Sequence, residues 1–315
     1  MVIKMKRYAG IDIGGTNVKI GIIDENGKVY AKSSIKIADD LSVGNVVEKT
    51  SAELLRLIGE TKVTISGVGV GIPGLIDSEK GLVVCSGNLD WTNENIVDEF
   101  KKFLPSPVKI GNDANVATLG EVLFGVGKNY GNCVMLTIGT GVGSGIVING
   151  KIYAGKASAG AEIGHMIINV GGKPCTCGGF GCLEAYASAT ALKDETRKAM
   201  LDNPNSEMWE IGSPENVSGK TAFAYCETDE TARGVVDNYV ENLSVGIVNV
   251  ANIFRPDAII LGGGVSYEGE RLLKPLKEKL RSKIFAGDLG PKVELLLAML
   301  RNDAGFMGAA ALNFE

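Results

Sequence analysis

One histidine, His165, stands among 315 residues, so no Ser-His-Asp relay is available once that ring is assigned elsewhere. No apolar run approaches the roughly 20 residues with which a helix crosses a bilayer, so no membrane-spanning helix is expected. The start carries Lys4, Lys6 and Arg7 but leads straight into a strand, with no apolar segment or small-residue cleavage site of a secretion signal. These absences predict a cytoplasmic protein with no membrane partner. A surplus of basic charge is also missing. The net charge of -5 argues against a general nucleic-acid binder, which needs cations to neutralise phosphates and release counterions. Neither the Walker A order, Gly-x4-Gly-Lys-Ser/Thr, nor a dinucleotide fingerprint opening a helix occurs. Proline numbers only nine, and in a reducing compartment the six cysteines are expected as thiols or metal ligands instead of disulfides.

What the chain has in quantity is glycine. Its 43 glycines are about twice the usual share of roughly 7%, and many cluster just after apolar runs. That placement predicts loops where backbone approaches a ligand closely, not flexible linkers. Hydrophobic residues at 45% and charged residues at 22% are ordinary globular usage. The length exceeds the roughly 100–200 residues of one domain, so two domains sharing a cleft are expected.

Tyr8 to Ile13, Asn17 to Ile23 and Lys28 to Ile35 read as three strands of an antiparallel meander, the last two joined by Asn26-Gly27. Val47, Leu54, Leu55 and Ile58 mark a helix, and Ile65 to Ile72 a strand stopped at Pro73-Gly74. Cys133 to Ile138, Gly145 to Ile148 and Lys151 to Tyr153 repeat the strand, glycine loop, strand, turn, strand order, which suggests duplicated halves. Val236 to Phe254 reads as one long helix, followed by the strand Ala258 to Leu261, a helix from about Gly269 to Phe285, the strand Val293 to Leu297 and a small-residue helix, Ala304 to Leu312. The class is therefore α/β.

Asp12-Ile13-Gly14-Gly15-Thr16 sets an acid at a strand end before two residues without Cβ and a hydroxyl. Such a turn lets backbone N–H groups and the Thr16 hydroxyl reach phosphate oxygens while the acid binds magnesium; a tight hairpin explains the pentapeptide equally well. Gly139-Thr140-Gly141-Val142-Gly143 follows another buried strand, and two such loops suit a nucleotide held between similar halves. Gly262-Gly263-Gly264 admits backbone close to adenine and ribose, or is a plain strand-to-helix turn. Asn112-Asp113 opens a helix after Val108-Lys109-Ile110 and reads first as an N-cap. A phosphoryl transfer nonetheless needs a carboxylate beside the acceptor hydroxyl, and Asp113 is the candidate general base.

Cys175-Thr176-Cys177 and Cys182, with His165 ten residues upstream of Cys175, supply one closed tetrahedral Cys3His shell for a structural zinc. Glu162 and Glu184 flank that knot, where anchored carboxylates suit sugar hydroxyls, while each acid taken separately reads as surface charge; Asn88 offers a further polar contact and Trp91 a pocket wall. Cys85, Cys133 and Cys226 are expected to pack as small apolar groups.

These motifs resemble the ROK family of sugar kinases and sugar-responsive repressors over nearly the whole chain. Asp12 to Thr16 is similar to its first phosphate motif, Gly111-Asn112-Asp113 to its catalytic segment, Gly139 to Gly143 to its second phosphate motif, and Glu162-x-Gly-His165 with Cys-x-Cys-x4-Cys to its sugar-and-zinc signature. The resemblance implies an actin-like ATPase (ribonuclease H-like) fold of two α/β domains around a cleft. It implies ATP, Mg2+ and structural Zn2+ as cofactors, and a homodimer or homotetramer. Asn88, Asn112, Asp113, Glu162, His165 and Glu184 would contact a hexose, glucose first among the candidates and fructose, mannose, allose or an N-acetylhexosamine the alternatives. Asp12, Gly14, Gly15, Thr16, Gly139, Thr140, Gly141 and Gly262 to Gly264 would hold the nucleotide, and Asn302-Asp303-Ala304-Gly305 matches the closing helix. The domains are expected as 1–115, completed by a helix at about 303–315, and 116–302 with the zinc loop. Repressors of this kind carry a helix-turn-helix ahead of the kinase-like body, and the seven or so residues before the first strand leave no room for one, so an enzyme is expected over a non-catalytic regulator.

Overall fold

The computed structural model describes residues 5–314; residues 1–4, which include part of the charged start read above, and residue 315 lie outside the described residues. The chain forms two compact units. The first runs to Gly131 and adds Gly145–Ala161 and the segment from Met299; the second comprises Asn132–Ser144 and Glu162–Ala298.

β1 (Arg7–Ile13), β2 (Asn17–Asp24) and β3 (Val29–Lys36) form the expected antiparallel meander. The nineteen-residue helix α1 (Val43–Thr61) then turns Val46, Val47, Leu54 and Leu57 into the core. β4 (Val68–Ile72) is buried at every position, as a β-branched and glycine strand covered on both faces must be. β5 (Leu75–Asp77), β6 (Leu82–Ser86) and β7 (Trp91–Asn95) make a separate three-stranded antiparallel sheet. The sequence gives this stretch no strands, because its runs are short and broken by turns. α2 (Ile96–Lys101), β8 (Val108–Asn112) and α3 (Asp113–Phe124) follow. Since β4 pairs in parallel with both β1 and β8, the order is β3-β2-β1-β4-β8, with three strands ending on one edge.

Trp91 departs from the expectation of a pocket wall. It is only 3% exposed and lies in the hydrophobic core, its Nε1 donating to the Leu41 carbonyl at 2.6 Å. With its one polar group satisfied internally, the indole loses nothing by leaving solvent.

β9 (Cys133–Ile138) opens the second unit, and the chain crosses back to the first within β10 (Val142–Ile148), whose end pairs antiparallel with β11 (Lys151–Ile152). The short α4 (Glu184–Ala187), α5 (Ala189–Asp202), α6 (Thr221–Tyr225) and the 25-residue α7 (Glu230–Phe254) come next. Asp229 caps α7, and Arg255 ends it in the left-handed region at φ 41°, ahead of Pro256, which disfavours helical continuation of the residue before it. β12 (Ala258–Gly262) lies in parallel between β9 and β13 (Glu294–Leu297), with α8 (Glu270–Lys283) as the crossover. No helix among the described residues is long and apolar enough to cross a membrane.

The last helix, α9 (Ala304–Ala311), belongs to the first unit and packs on β1, β4 and α3. It approaches at backbone distance. A β-carbon at Gly10 would sit 1.7 Å from the Phe306 carbonyl oxygen, and one at Gly69 1.7 Å from that of Ala309. Gly69→Ala is therefore expected to lower the unfolding free energy by about 1–3 kcal/mol, read as a lower urea midpoint. Gly59→Ala in α1, where an added β-carbon meets nothing within 4 Å, should raise it by about 0.5–1 kcal/mol in the same assay.

Candidate functional site

In the first unit the candidates gather where the three parallel strands end. Asp12 pairs in register with Gly71, and Gly71 with Gly111, so Asp12 and the Asn112-Asp113 junction share one edge two strands apart, about 10 Å by strand spacing. Open α/β sheets present their ligands at this carboxyl edge. The Gly14-Gly15-Thr16 turn is closed by the Gly14 N–H on the Asn17 carbonyl at 3.0 Å, and Gly15 and Thr16 are exposed. The carbonyl of Asn88, itself exposed, lies 3.4 Å from where a β-carbon of Gly15 would be.

Burial holds the Asp12 carboxyl above the ordinary carboxylate range, opposed by the ammonium of Lys19 at 3.9 Å. A carboxylate short of water is favourably placed for a cation. Lys19 also reaches Asn302 Oδ1 at 3.4 Å. Sequence reasoning passed over Lys19, although a signal was present. A hairpin turning at Gly15-Thr16 pairs position 12 with position 19, and those two are register partners.

At the head of α3 the N-cap is Asn112. Its Oδ1 accepts the N–H groups of Ala114 and Asn115 at 3.0 and 3.1 Å, while its Nδ2 donates to the Gly74 carbonyl at 3.1 Å. Asp113 is the first helical residue, half-buried, with Oδ1 accepting the Ala114 N–H at 2.8 Å. The helix start thus takes its cap from Asn112 and holds the Asp113 carboxylate in the first turn, where the macrodipole favours negative charge.

In the second unit, Gly262 is the register partner of Thr137, which puts the Gly139–Gly143 loop and Gly262-Gly263-Gly264 side by side on one strand edge. The loop is tied down by Ala189 N–H on the Gly139 carbonyl at 2.8 Å and by Thr190 Oγ1 on the Thr140 carbonyl at 2.8 Å. A cavity of about 390 Å³, lined by Thr140, Thr176, Glu184, Ser188 and Thr190 among others, lies between this loop and the cysteine-rich turn.

That turn brings His165, Cys175, Cys177 and Cys182 together, their ligand atoms all within 4.8 Å of one another. Cys175 Sγ lies 3.6 Å from His165 Nδ1, and the sulfurs of Cys177 and Cys182 are 3.7 Å apart. A tetrahedron with metal–sulfur bonds of about 2.3 Å has edges of about 3.8 Å, so the four atoms suit one tetrahedral ion. Burial, then the neighbouring thiols, push the Cys182 thiol up to about 12, whereas the Gly179 N–H draws the Cys177 thiol down. Gly164, inside Glu162-x-Gly-His165, is required sterically. A β-carbon there would come within 2.0 Å of the Val142 carbonyl oxygen.

Glu162 is exposed, just before the single 3-10 turn Ile163–His165. Glu184 is not a loose surface acid. Its Oε2 accepts the Val142 N–H at 2.9 Å and its Oε1 the Thr176 hydroxyl at 2.9 Å, linking the glycine loop to the knot. Thr176 and this bridge escaped the sequence reading, since neither bond follows from spacing. Of the three remaining cysteines, Cys133 is buried and Cys226 half-buried as expected; Cys85 is exposed, contrary to expectation, because it lies on an open position of β6.

The fold is that of the actin-like ATPase class. A model of the ROK family matches residues 8–315, and the chain belongs to that family. It is similar to the glucokinase of Thermotoga maritima, 37% identical over 97% of this chain and 96% of that one. It resembles a ROK family glucokinase from Streptomyces griseus, solved in complex with glucose and AMPPNP, with TM-score 0.83 and 31% identity over 97% of this chain and 98% of that one. The xylose repressor of Caldicellulosiruptor bescii is 29% identical over 96% of this chain and 77% of its own length.

Asn112→Ala removes both cap bonds and the tether to Gly74, and is expected to cost about 1–2 kcal/mol in urea unfolding. Asn112→Asp keeps the cap acceptor and should cost less than half of that.

Proposed function

We propose that the protein transfers the γ-phosphoryl group of ATP to a hydroxyl of a hexose, with glucose the favoured acceptor. The observation that carries this reading is the head of α3, where Asn112 serves as the cap and a carboxylate follows it at the carboxyl edge of parallel strands. The similarity to proteins named glucokinase supports the choice of sugar.

In the proposed reaction Asp113 accepts the proton of the acceptor hydroxyl as that oxygen bonds to the γ-phosphorus. The bond from phosphorus to the β–γ bridging oxygen breaks, and ADP leaves with the electron pair. Because the transition state is loose, alignment of the hydroxyl matters more than the strength of the base. The N–H groups of Gly14, Gly15 and Thr16, with those of Gly139, Thr140 and Gly141, would bind phosphate oxygens, and Gly262 to Gly264 would border the nucleoside. Magnesium, when bound with the nucleotide, neutralises phosphate charge; Asp12 is the carboxylate that would hold it. Asn88, Asn112, Glu162, His165 and Glu184 would orient the sugar hydroxyls.

His165, Cys175, Cys177 and Cys182 would hold zinc in a closed shell, with no position left for water. Such an ion stiffens the loop that carries Glu162 and Glu184 and takes no part in the chemistry.

The similarity to xylose repressors favours one rival, a sugar-responsive regulator without turnover. Incubation with ATP, magnesium and a mixed hexose panel, followed by product identification, separates the two. Glucose 6-phosphate supports the proposal, another hexose phosphate corrects the acceptor, and sugar binding without ATP consumption overturns the kinase reading. Asp113→Asn is expected to abolish turnover while sugar affinity stays within about tenfold by calorimetry; near-normal turnover removes Asp113 from the base role. Elemental analysis is expected to find one zinc per chain, lost together with sugar binding in Cys177→Ser.

A further inference from the structure

We propose that the second unit holds a separate site for a small organic anion, an apolar body bearing one phosphate, sulfonate or carboxylate group. A cavity of about 310 Å³ opens between the end of α7, the C-terminal half of α8 and the start of β13, at the lower end of the size range of ligand pockets. It is bordered by Arg255, before β12, and by Glu294 and Leu295, the first residues of β13. It therefore lies at the amino ends of the parallel strands, about 13 Å of β12 away from Gly262. The site is independent of the kinase reading.

The charge on its walls points to an anion. Arg281 forks onto Asp288, Nε at 2.9 Å and Nη2 at 2.7 Å, and Lys292 pairs with Glu294 at 2.6 Å. Both acids are thereby spent. Arg255 and Lys277 have no acidic partner among the described residues, which leaves two uncompensated cations in a chain whose net charge is -5.

Arg255 is built into the wall instead of waving from it. Its Nε donates to the Pro291 carbonyl at 3.0 Å and its Nη1 to the Phe285 carbonyl at 2.8 Å, while its Nη2 is buried with no partner. A planar guanidinium held rigid with both Nη2 hydrogens unspent is suited to an oxyanion. Leu280, Ile284, Val293 and Leu295 line the rest and call for an apolar body behind the anionic head.

The test uses fluorescence titration of the whole protein with 8-anilino-1-naphthalenesulfonate and with the uncharged N-phenyl-1-naphthylamine. One saturable sulfonate site is expected, at least fivefold weaker for the neutral probe. It should weaken at least fivefold in Lys277→Glu, an exposed position, and in Ile284→Trp, which fills the cavity. Hexose-dependent ATP turnover of both variants should stay within twofold of the unaltered protein. Equal affinity for the neutral probe, or sulfonate affinity unchanged in both variants, overturns the proposal. A turnover loss in step with probe affinity overturns the site's separateness from the catalytic machinery.

Discussion

The contact on which the first unit depends is backbone against backbone, where α9 lies on β1 and β4. Gly10 and Gly69 remove the side chains that would otherwise hold the helix several ångström off the sheet. Lowered so far, α9 brings Gly305 against the Asp12 carboxylate, where even a β-carbon would come within 2.5 Å. The turn leading into α9 is latched from β2 and β3. Lys19 reaches Asn302, and Lys32 pairs with Asp303 at 2.8 Å. On its other flank Glu121, fully buried in α3, accepts the Leu300 N–H at 2.6 Å and the Val126 N–H at 3.1 Å. A chain end remote in sequence therefore desolvates Asp12 and fixes the helix that begins with Asp113.

The second unit applies the same economy with different chemistry. Its glycine loop is held by helix starts, through the hydroxyl of Thr190 and the Ala189 N–H in α5 and the carboxylate of Glu184 in α4. Glu184 also holds Thr176, which stands between two of the clustered cysteines. Order in the cysteine turn is thereby passed to the loop through one side chain. Coupling of this kind needs contiguous hydrogen bonds, and here the path is two bonds long.

Motif residues were legible because their chemistry is local. Glycines after buried strands, Asn-Asp before an apolar helix and the Cys/His spacing each signal a backbone or ligand requirement independent of the rest of the fold. Strands and helices with a clear period, such as β1 to β3 and α7, were legible for the same reason. The sheet of β5 to β7 was not, since strands of three to five residues are set by what they pack against. Trp91 needed knowledge of the Leu41 carbonyl fifty residues away, and the exposure of Cys85 needed the face that β6 presents. Lys19 was recoverable from hairpin register alone. The Glu184 bridge was not, because it spans 42 residues with no periodic signature.

Hydrogen-bond capacity narrows what the proposed sugar contacts can do. The Oδ1 of Asn112 already accepts two N–H groups and its Nδ2 gives one hydrogen to Gly74, so a single N–H remains. Toward a sugar, Asn112 can only donate, and it would meet a hydroxyl oxygen acting as acceptor. Glu184 has the opposite character. Its Oε2 has accepted one bond and its Oε1 two, from Thr176 and from the Cys175 thiol at 3.8 Å, leaving about one lone-pair site, which needs a hydroxyl donor. A hydroxyl has one hydrogen and two lone pairs, so these contacts are compatible only if the hydroxyl facing Asn112 sends its own hydrogen elsewhere. In the proposed reaction Asp113, next in sequence, would accept that hydrogen, and the order Asn-Asp would then supply a donor to fix the oxygen and an acceptor to take its proton.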